Sequence, residues 1–443
     1  MQSLDWIFNN PYHGYAYSYP HKAAYRAFRT PKRLHDIWEG EDKSNLFLYV
    51  HIPFCEMRCG FCNLFTTVNP QETIVTSFLS SLEQQMIVTN EELCDIDVAQ
   101  MAIGGGTPTF LSINQLSHLF ILFNKYFDID PQNIPVAIET SPRTAEDEKL
   151  KHLSKLGVER VSIGIQSFIE QESKAIGRPQ KIKDIQKALD RMKTYDFPCL
   201  NLDLIYGCPG QTEQSWTQSL SSALKWQPEE IYIYPLYVRP QTGIDGKAKT
   251  FDQQRLALYQ IGRDFLLANG YQQISMRKFC LPSNSTYMPS QTEYCCQEDG
   301  MLGLGAGARS YSFDVHYSHQ FAVKQAPIVS IIKSYCDSEV DHYRHAYHGI
   351  ELTKDDIMRR DIIKSILNRS GLDLTRYATR HQDSALDCYP ELKRLIGEDL
   401  LIQSDDVLRP TALGLKYSDA IGSWLMSKRV KALMAKENED ATL

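Results

Sequence analysis

The chain has 443 residues, of which 43% are hydrophobic and 23% are charged, and its net charge is −7. This composition is typical of a globular protein with one large and one smaller domain, and the acidic balance disfavours a nucleic-acid-binding surface. No apolar run of about eighteen residues predicts a membrane span, and the N-terminus has no signal-peptide pattern. Eleven cysteines without paired spacing suit a reducing compartment, so the sequence predicts a cytoplasmic protein.

Residues 1–44 form an N-terminal extension rich in aromatic side chains, with five tyrosines between Tyr12 and Tyr25. Two interpretations fit this composition. The rings either bury area against the main domain or belong to a lid that helps to close an active site. We favour packing, because aromatic side chains bury large apolar areas.

From residue 46 the sequence alternates apolar strands with amphipathic helices. The strands are continuous apolar runs rich in Val, Ile and Tyr, which is typical of strands buried on both faces. They are predicted at 46–52, 98–105, 134–139, 159–166, 199–206 and 229–237. The helices are predicted between them, at 71–90, 113–127, 145–156, 182–192 and 213–226. Such a series predicts a parallel α/β sheet with right-handed crossovers, either open or curled into a partial barrel.

The repeat stops after about residue 245. A long helix is predicted over 251–269, and an irregular stretch over 275–320. The histidines of DHYRHAYHG (341–349) have the spacing of metal ligands on a helix, although a polar or substrate-facing helix surface is favoured. The C-terminal elements are predicted as helices at 355–368, 373–380, 390–397 and 411–427, with strands in LLIQ and VLRP.

Helices followed by a two-stranded wing are similar to a winged-helix module. DNA binding is a common function of such modules, but this segment is not basic, so a packing role over the main domain is favoured. The predicted division of the chain is 1–44, 45–245, 246–350, 351–430 and 431–443.

Three cysteines, Cys55, Cys59 and Cys62, lie within eight residues directly after the first predicted strand. On a short loop this spacing can turn three thiolates toward one point, and thiolates are the soft ligands of iron–sulfur clusters. A structural zinc site usually takes four ligands in two separated pairs, and no second pair follows. The spacing favours a [4Fe–4S] cluster with one open iron, while zinc and chance remain alternatives.

Glycine-rich or polar residues end the next predicted strands. The segment GGGTPTFL (104–111) allows close backbone approach and exposes amides that bind anions, although a plain tight turn has the same composition. Glu139 ends the third strand and Gln166 the fourth, where a polar side chain is costly without a partner. Since barrel active sites lie at the carboxyl ends of the strands, these residues predict a ligand-binding rim, with helix capping as the alternative.

The segment CEMRCGFC (55–62) is the CxxxCxxC motif of radical S-adenosylmethionine (SAM) enzymes. With YVHIPFC (49–55) it resembles the oxygen-independent coproporphyrinogen III oxidase (HemN-like) family, over about residues 45 to 425. The resemblance implies a partial (β/α)6 barrel with a C-terminal winged-helix-like domain. It also implies that Cys55, Cys59 and Cys62 hold a [4Fe–4S] cluster whose open iron binds SAM.

The same resemblance implies an activity. SAM is reductively cleaved to a 5′-deoxyadenosyl radical, which abstracts hydrogen from an organic, tetrapyrrole-like small molecule. The electron donor is expected to be a protein such as flavodoxin or ferredoxin. In this chemistry the cofactor carries the difficult step, and the protein orients it and excludes water.

The resemblance also assigns residues to SAM. Gly105, Gly106 and Thr107 correspond to the motif that binds its amino and carboxylate groups. The other implied contacts are Tyr49, Phe61, Glu139, Gln166, Arg178 and Asp203. In the coproporphyrinogen oxidases several of these contact a second SAM, so one or two bound molecules are expected. Arg309, in the GLGAGARS turn, is similar to the family's segment near SAM or substrate.

Two positions depart from the family pattern. Coproporphyrinogen III oxidases proper have a cysteine two residues after the third ligand, where this chain has Leu64. Haem chaperones have a His-Asn…Tyr-Trp motif before the glycine-rich turn, where this chain reads TEYCC (292–296). We consider Cys295 and Cys296 as catalytic residues, with one thiol donating a hydrogen atom or holding an intermediate. Small buried side chains in a turn are the other interpretation.

The main prediction is therefore a coproporphyrinogen III oxidase-like radical SAM enzyme. One alternative is a radical methyltransferase or cyclopropanase that uses two SAM molecules. Another is a non-catalytic haem chaperone that retains the cluster. The products distinguish them, since 5′-deoxyadenosine indicates an enzyme, S-adenosylhomocysteine indicates methyl transfer, and copurified haem indicates a chaperone.

Overall fold

A computed structural model describes residues 3–15, 18–282, 297 and 300–440. The chain forms two compact units. The larger unit comprises Ala27–Thr250 and Ser283–Gly349, and the smaller unit comprises Met1–Arg26, Phe251–Pro282 and Ile350–Leu443. The division into five segments made from the sequence stays a prediction. Within the described ranges, no helix has the length and apolar character needed to cross a membrane.

The strands and helices follow one another along the chain with short connections. The strands are β1 (Arg26–Arg33), β2 (Leu46–Ile52), β3 (Phe54–Cys55), β4 (Thr67–Val68), β5 (Val98–Gly105), β6 (Val136–Thr140), β7 (Arg160–Gln166), β8 (Cys199–Tyr206), β9 (Glu230–Pro235), β10 (Gln272–Gln273), β11 (Lys278–Cys280), β12 (Met301–Leu304), β13 (Arg309–Tyr311), β14 (Val315–Ser318), β15 (His345–Glu351), β16 (Leu372–Asp373), β17 (Leu401–Ser404) and β18 (Val407–Pro410). The helices are α1 (Asp5–Asn9), α2 (Leu34–Trp38), α3 (Glu72–Leu93), α4 (Ile113–Phe127), α5 (Asp147–Leu156), α6 (Glu170–Ala175), α7 (Ile182–Thr194), α8 (Glu213–Ala223), α9 (Asp252–Ala268), α10 (Gln325–Cys336), α11 (Lys354–Ile366), α12 (Leu374–His381), α13 (Ala385–Cys388), α14 (Glu391–Gly397), α15 (Ala412–Lys416), α16 (Ser418–Leu425) and α17 (Lys428–Asp440). Short 3-10 turns lie at Lys22–Ala24, Pro108–Phe110, Leu224–Trp226 and Val340–Arg344.

The larger unit is built around a parallel sheet. Strands β2, β5, β6, β7, β8 and β9 lie side by side in chain order, and each pairs parallel with the next. At least one helix lies between each strand and the next, so the predicted α/β class and parallel core are confirmed. This order of six βα units is that of a partial (β/α)6 barrel, and it brings the carboxyl ends of the strands to one edge.

Helix α4 illustrates why the sequence forms these elements. Ser112 and Gln115 make reciprocal capping hydrogen bonds at its first turn, which satisfies backbone amides that the helix leaves unpaired. Leu116, Leu119 and Phe123 recur at three- and four-residue spacing, and all three are fully buried. The predicted bounds of this helix are those of the structure.

The region predicted to be irregular, 275–320, contains strands, so that prediction is wrong for 301–318. Strand β12 pairs parallel with β2, and β13 and β14 follow by antiparallel pairing, which extends the sheet beyond β2. The signal was weak because strands of three or four residues have too little length to display a period. The histidine segment 341–349 is also not a helix, since a 3-10 turn leads directly into β15.

The smaller unit has a small antiparallel sheet with helices around it. The strand order is β16–β18–β17, one strand more than the predicted two-stranded wing. The predicted helix over 411–427 is divided into α15 and α16, which meet at Tyr417. Tyr19 and Tyr25 of the N-terminal extension are almost completely buried in the same core as Ile362 and Ile421. These rings therefore bury area, as the packing interpretation predicts, and their partners are the C-terminal helices.

Candidate active site

The three cysteines lie on a loop that leaves β2 and is closed at its base. Strands β3 and β4 pair parallel, with Phe54 opposite Thr67 and Cys55 opposite Val68. The Asn69 amide also donates to the Cys55 carbonyl at 2.9 Å. These backbone bonds hold the two ends of the loop together, so the three thiols project from a single closed turn. We call residues 55–68 the cysteine loop.

All three thiols are free, and those of Cys55 and Cys59 are buried. Burial raises the pKa of the Cys55 thiol to about 12, so ligand binding at this sulfur must displace a proton. Two donors reach the sulfurs: the Thr107 hydroxyl lies 3.7 Å from Cys55 Sγ, and Arg178 Nη1 lies 2.9 Å from Cys59 Sγ. Hydrogen-bond donors around cysteine sulfur are typical of iron–sulfur sites, and they fit bound thiolates better than buried thiols.

Among the residues that the structure describes, no three His, Cys, Asp or Glu side chains converge closely enough to hold a single metal ion. A four-iron cluster makes a different demand, because each cysteine binds a different iron. Three separate thiols on one closed loop, two of them with donors, therefore fit a cluster. The helical arrangement of histidine ligands considered for 341–349 does not occur.

Glycines bring the backbone after β5 very close to the cysteine loop. Gly105 has φ +111°, and a Cβ there would lie 2.6 Å from the His51 ring. A Cβ at Gly106 would lie 2.5 Å from the Phe54 carbonyl oxygen and 3.0 Å from Cys55 Sγ. Because only glycine fits such contacts, Gly105 and Gly106 are where the backbone amides approach the cysteine loop directly.

Glu139 and Asp203 form an acidic pair on neighbouring parts of the sheet. The Gly105 amide donates to Glu139 Oε2 at 3.2 Å, and the Asn201 amide group donates to Asp203 Oδ1 at 2.9 Å. Burial and the nearby Asp203 carboxylate raise the pKa of Glu139 to about 7, and burial raises the pKa of Asp203 to about 6. Glu139 nevertheless keeps solvent-accessible surface, so it faces a recess enclosed by the strand ends. A recess with this charge suits a cationic group.

Tyr49, Gln166 and Arg178 lie around the same recess. A Cβ at Gly104 would be 3.1 Å from the Tyr49 hydroxyl and 3.0 Å from Glu139 Oε1, so these side chains flank one glycine. Gln166 has φ +67°, a conformation that is uncommon for a residue with a side chain, and the register of β7 shifts there. Such local strain is frequent at ligand-binding sites.

The remaining predicted residues are placed less centrally. Phe61 packs against the apolar cluster that contains Ile176 and Ile244. Arg309 begins β13, opposite Ser318, and its placement does not by itself connect it to the recess. The predicted catalytic residues Cys295 and Cys296 lie outside the described residues.

Sequence reasoning did not assign two residues that the fold brings to this site. His51 is buried inside β2, and its Nε2 lies 2.8 Å from the Phe65 carbonyl oxygen. Arg58 makes several contacts beyond the cysteine loop. A histidine within an apolar strand is a signal that a polar partner exists, whereas nothing local to Arg58 identifies its partners.

Comparisons with known proteins agree with this geometry. The radical SAM superfamily profile matches residues 49–223, and the HemN C-terminal domain profile matches residues 352–416. The oxygen-independent coproporphyrinogen III oxidase of Escherichia coli is 32% identical over 379 residues, covering 82% of this chain and 80% of that protein. The haem chaperone HemW of Bacillus subtilis is 29% identical over 393 residues, covering 85% of this chain and 98% of that protein.

A solved structure extends the likeness to three dimensions. The coproporphyrinogen III oxidase HemN of Escherichia coli superposes with a TM-score of 0.80 and 28% identity, covering 93% of this chain and 96% of that chain. Radical SAM enzymes use a [4Fe–4S] cluster and SAM, and the cysteine loop fits the cluster. The chain belongs to the oxygen-independent coproporphyrinogen III oxidase-like family of radical SAM enzymes.

Proposed function

We propose that Cys55, Cys59 and Cys62 ligate the [4Fe–4S] cluster and that the recess beside Glu139 binds SAM. The observation that supports this most strongly is the closed loop of three free thiols, with Thr107 and Arg178 donating to two of the sulfurs. When bound, the cluster supplies the electron for SAM cleavage. The chain's own residues hold the reactants and exclude water.

Each residue around the recess has a role in this proposal. The amides of Gly105, Gly106 and Thr107 approach the amino-acid part of SAM. Glu139 accepts hydrogen bonds from its ammonium group, since a carboxylate stabilises a nearby positive charge. Arg178 pairs with its carboxylate. The remaining contacts, to the ribose and adenine, are assigned to Tyr49, Phe61, Gln166 and Asp203.

For the substrate we propose an organic, tetrapyrrole-like molecule from which hydrogen is removed. The named relatives that cover about four fifths of the chain support this class, since several are coproporphyrinogen III oxidases. Leu64, at the position of the family's additional cysteine, is 49% exposed, so this difference alters the surface of the cysteine loop without altering its core. Arg309 is proposed to face substrate or SAM, and Cys295 or Cys296 to donate hydrogen.

An anaerobic assay tests the function. Protein reconstituted with iron and sulfide is incubated with dithionite, SAM and coproporphyrinogen III, and the products are separated by liquid chromatography and mass spectrometry. Formation of 5′-deoxyadenosine together with protoporphyrinogen IX supports the oxidase. Formation of S-adenosylhomocysteine instead indicates methyl transfer, and copurified haem without SAM cleavage indicates the chaperone function.

We further propose that the protein acts in the cytoplasm, takes electrons from a flavodoxin or ferredoxin, and does not bind nucleic acid. The net charge of −7 supports the last point, because nucleic-acid-binding surfaces are basic. The cysteine content supports a reducing compartment. One or two SAM molecules are compatible with the proposed contacts, and equilibrium dialysis with labelled SAM counts them.

Binding of SAM is expected to weaken as pH falls below about 7, because Glu139, whose pKa is raised to about 7, becomes neutral there and no longer attracts the ammonium group. Titration calorimetry of the reconstituted protein between pH 6 and 8.5 measures this. The Glu139→Gln variant is expected to bind SAM about tenfold more weakly at pH 8 and to lose most of the pH dependence. A variant with unchanged affinity and pH profile would remove Glu139 from the SAM site.

A further inference from the structure

The connection between β14 and α10, residues 319–324, lies against the cysteine loop, and we call it the strap. The ring of Phe321 in the strap lies 6.5 Å from the ring of Phe65 in the cysteine loop. Gln325, the first residue of α10, donates from Nε2 to the Thr67 hydroxyl. The strap is therefore in contact with the part of the cysteine loop that follows Cys62.

One side chain of the cysteine loop joins it to the strap. Arg58 Nη1 donates to Gln325 Oε1 at 3.3 Å and to the Thr66 carbonyl at 3.5 Å. Its Nη2 donates to the Val323 carbonyl. A single guanidinium thus connects both arms of the cysteine loop to the strap and to the start of α10, which its planar, multiple-donor group is suited to do.

The position of Arg58 in the sequence gives these contacts a consequence for the site. Arg58 directly precedes Cys59, whereas the backbone pairing of β3 and β4 fixes only the two ends of the cysteine loop. Its middle has no regular secondary structure, and an irregular segment is ordered only where contacts offset its conformational entropy. Arg58 supplies such contacts at the centre of the loop.

We propose that Arg58 is a positioning residue that fastens the cysteine loop to the strap, so that the strap shields the cluster held by the loop from small solutes. This inference rests on the proposed function of the three cysteines. It separates the ligands of the cluster from the residue that controls how accessible the cluster is.

The fastening is tested in the cluster-free protein by hydrogen exchange. Arg58→Met is expected to raise exchange of the amides of residues 319–324 by about tenfold, because it removes charged hydrogen bonds to the strap. Arg58→Lys, which keeps the charge but loses the fork of donors, is expected to fall between the two. Arg191→Met is the matched control, since Arg191 donates to the Ala145 carbonyl elsewhere in the same unit. Unchanged strap exchange in Arg58→Met would overturn the inference.

The shielding is tested by the rate at which reconstituted protein loses iron to a ferrous chelator under anaerobic conditions. Arg58→Met is expected to release iron about tenfold faster than wild type, and Gln325→Leu to produce part of this effect. The double variant should release iron no faster than Arg58→Met, since both changes break one connection. Equal rates in wild type and Arg58→Met would overturn the shielding. Wild-type protein that assembles no cluster would overturn the proposed function and the shielding together, while the exchange experiment judges the fastening independently.

Discussion

Alanine at any one of Cys55, Cys59 and Cys62 is expected to reduce 5′-deoxyadenosine formation to background. The reason is that a cluster with three protein ligands loses an anchor for one of its irons when a thiolate is removed. Iron and sulfide content per chain, measured after anaerobic reconstitution, should fall in the same variants. Nucleoside formation is measured by chromatography after addition of dithionite and SAM.

The control for this series is Cys94→Ala, which removes an exposed thiol just beyond α3 in the same unit. It should keep the wild-type cluster content and rate. Circular dichroism of each variant separates loss of the cluster from loss of the fold. A cysteine-loop variant that retains full iron content and normal SAM cleavage would exclude that cysteine from the ligand set.

Arg277→Met is expected to destabilise the smaller unit by about 3–5 kcal/mol, because it leaves the buried carboxylate of Asp419 without its charged partner. Arg277 Nη2 donates to both oxygens of Asp419 at 2.6 Å, and the Asp419 side chain is 1% exposed. The guanidinium also lies 4.0 Å from the centre of the Tyr15 ring, which adds a cation–π contact. Urea denaturation followed by circular dichroism measures the change in free energy of unfolding.

A surface ion pair of the same unit gives the comparison. Lys354 lies 2.8 Å from Asp383, but its side chain is 71% exposed. Lys354→Met should therefore change the free energy of unfolding by less than about 1 kcal/mol. An Arg277→Met variant as stable as Lys354→Met would mean that water or a neighbouring group compensates Asp419, contrary to the buried geometry.

Local patterns in the sequence were sufficient for the parallel sheet. Strands at 46–52, 98–105 and 199–206 and the helix at 113–127 have the predicted bounds. These elements are long enough for their hydrophobic periodicity to be read, and burial on both faces leaves little choice of structure. The cysteine spacing and the glycines at 104–106 were readable for a similar reason, since their chemistry depends on neighbours in the chain.

Elements that depend on distant partners could not be read in this way. Strands β12 to β14 are short, and they form because β2 offers a free edge to β12. The histidine segment 341–349 became part of a strand rather than a helix, because pairing within the sheet outweighs its local spacing. The break at Tyr417 within the predicted C-terminal helix was likewise not visible in its apolar pattern.

The sequence alone determined the parallel barrel, the family and the candidate cluster ligands, because each of these is encoded by residues close together in the chain. Tertiary structure decided which side chains surround those ligands. Arg178 comes within 2.9 Å of Cys59 from 119 positions away, and Arg58 reaches Gln325 across 267 positions. Such contacts arise only when separate strands and loops are brought to one edge of the sheet, and no local pattern records them.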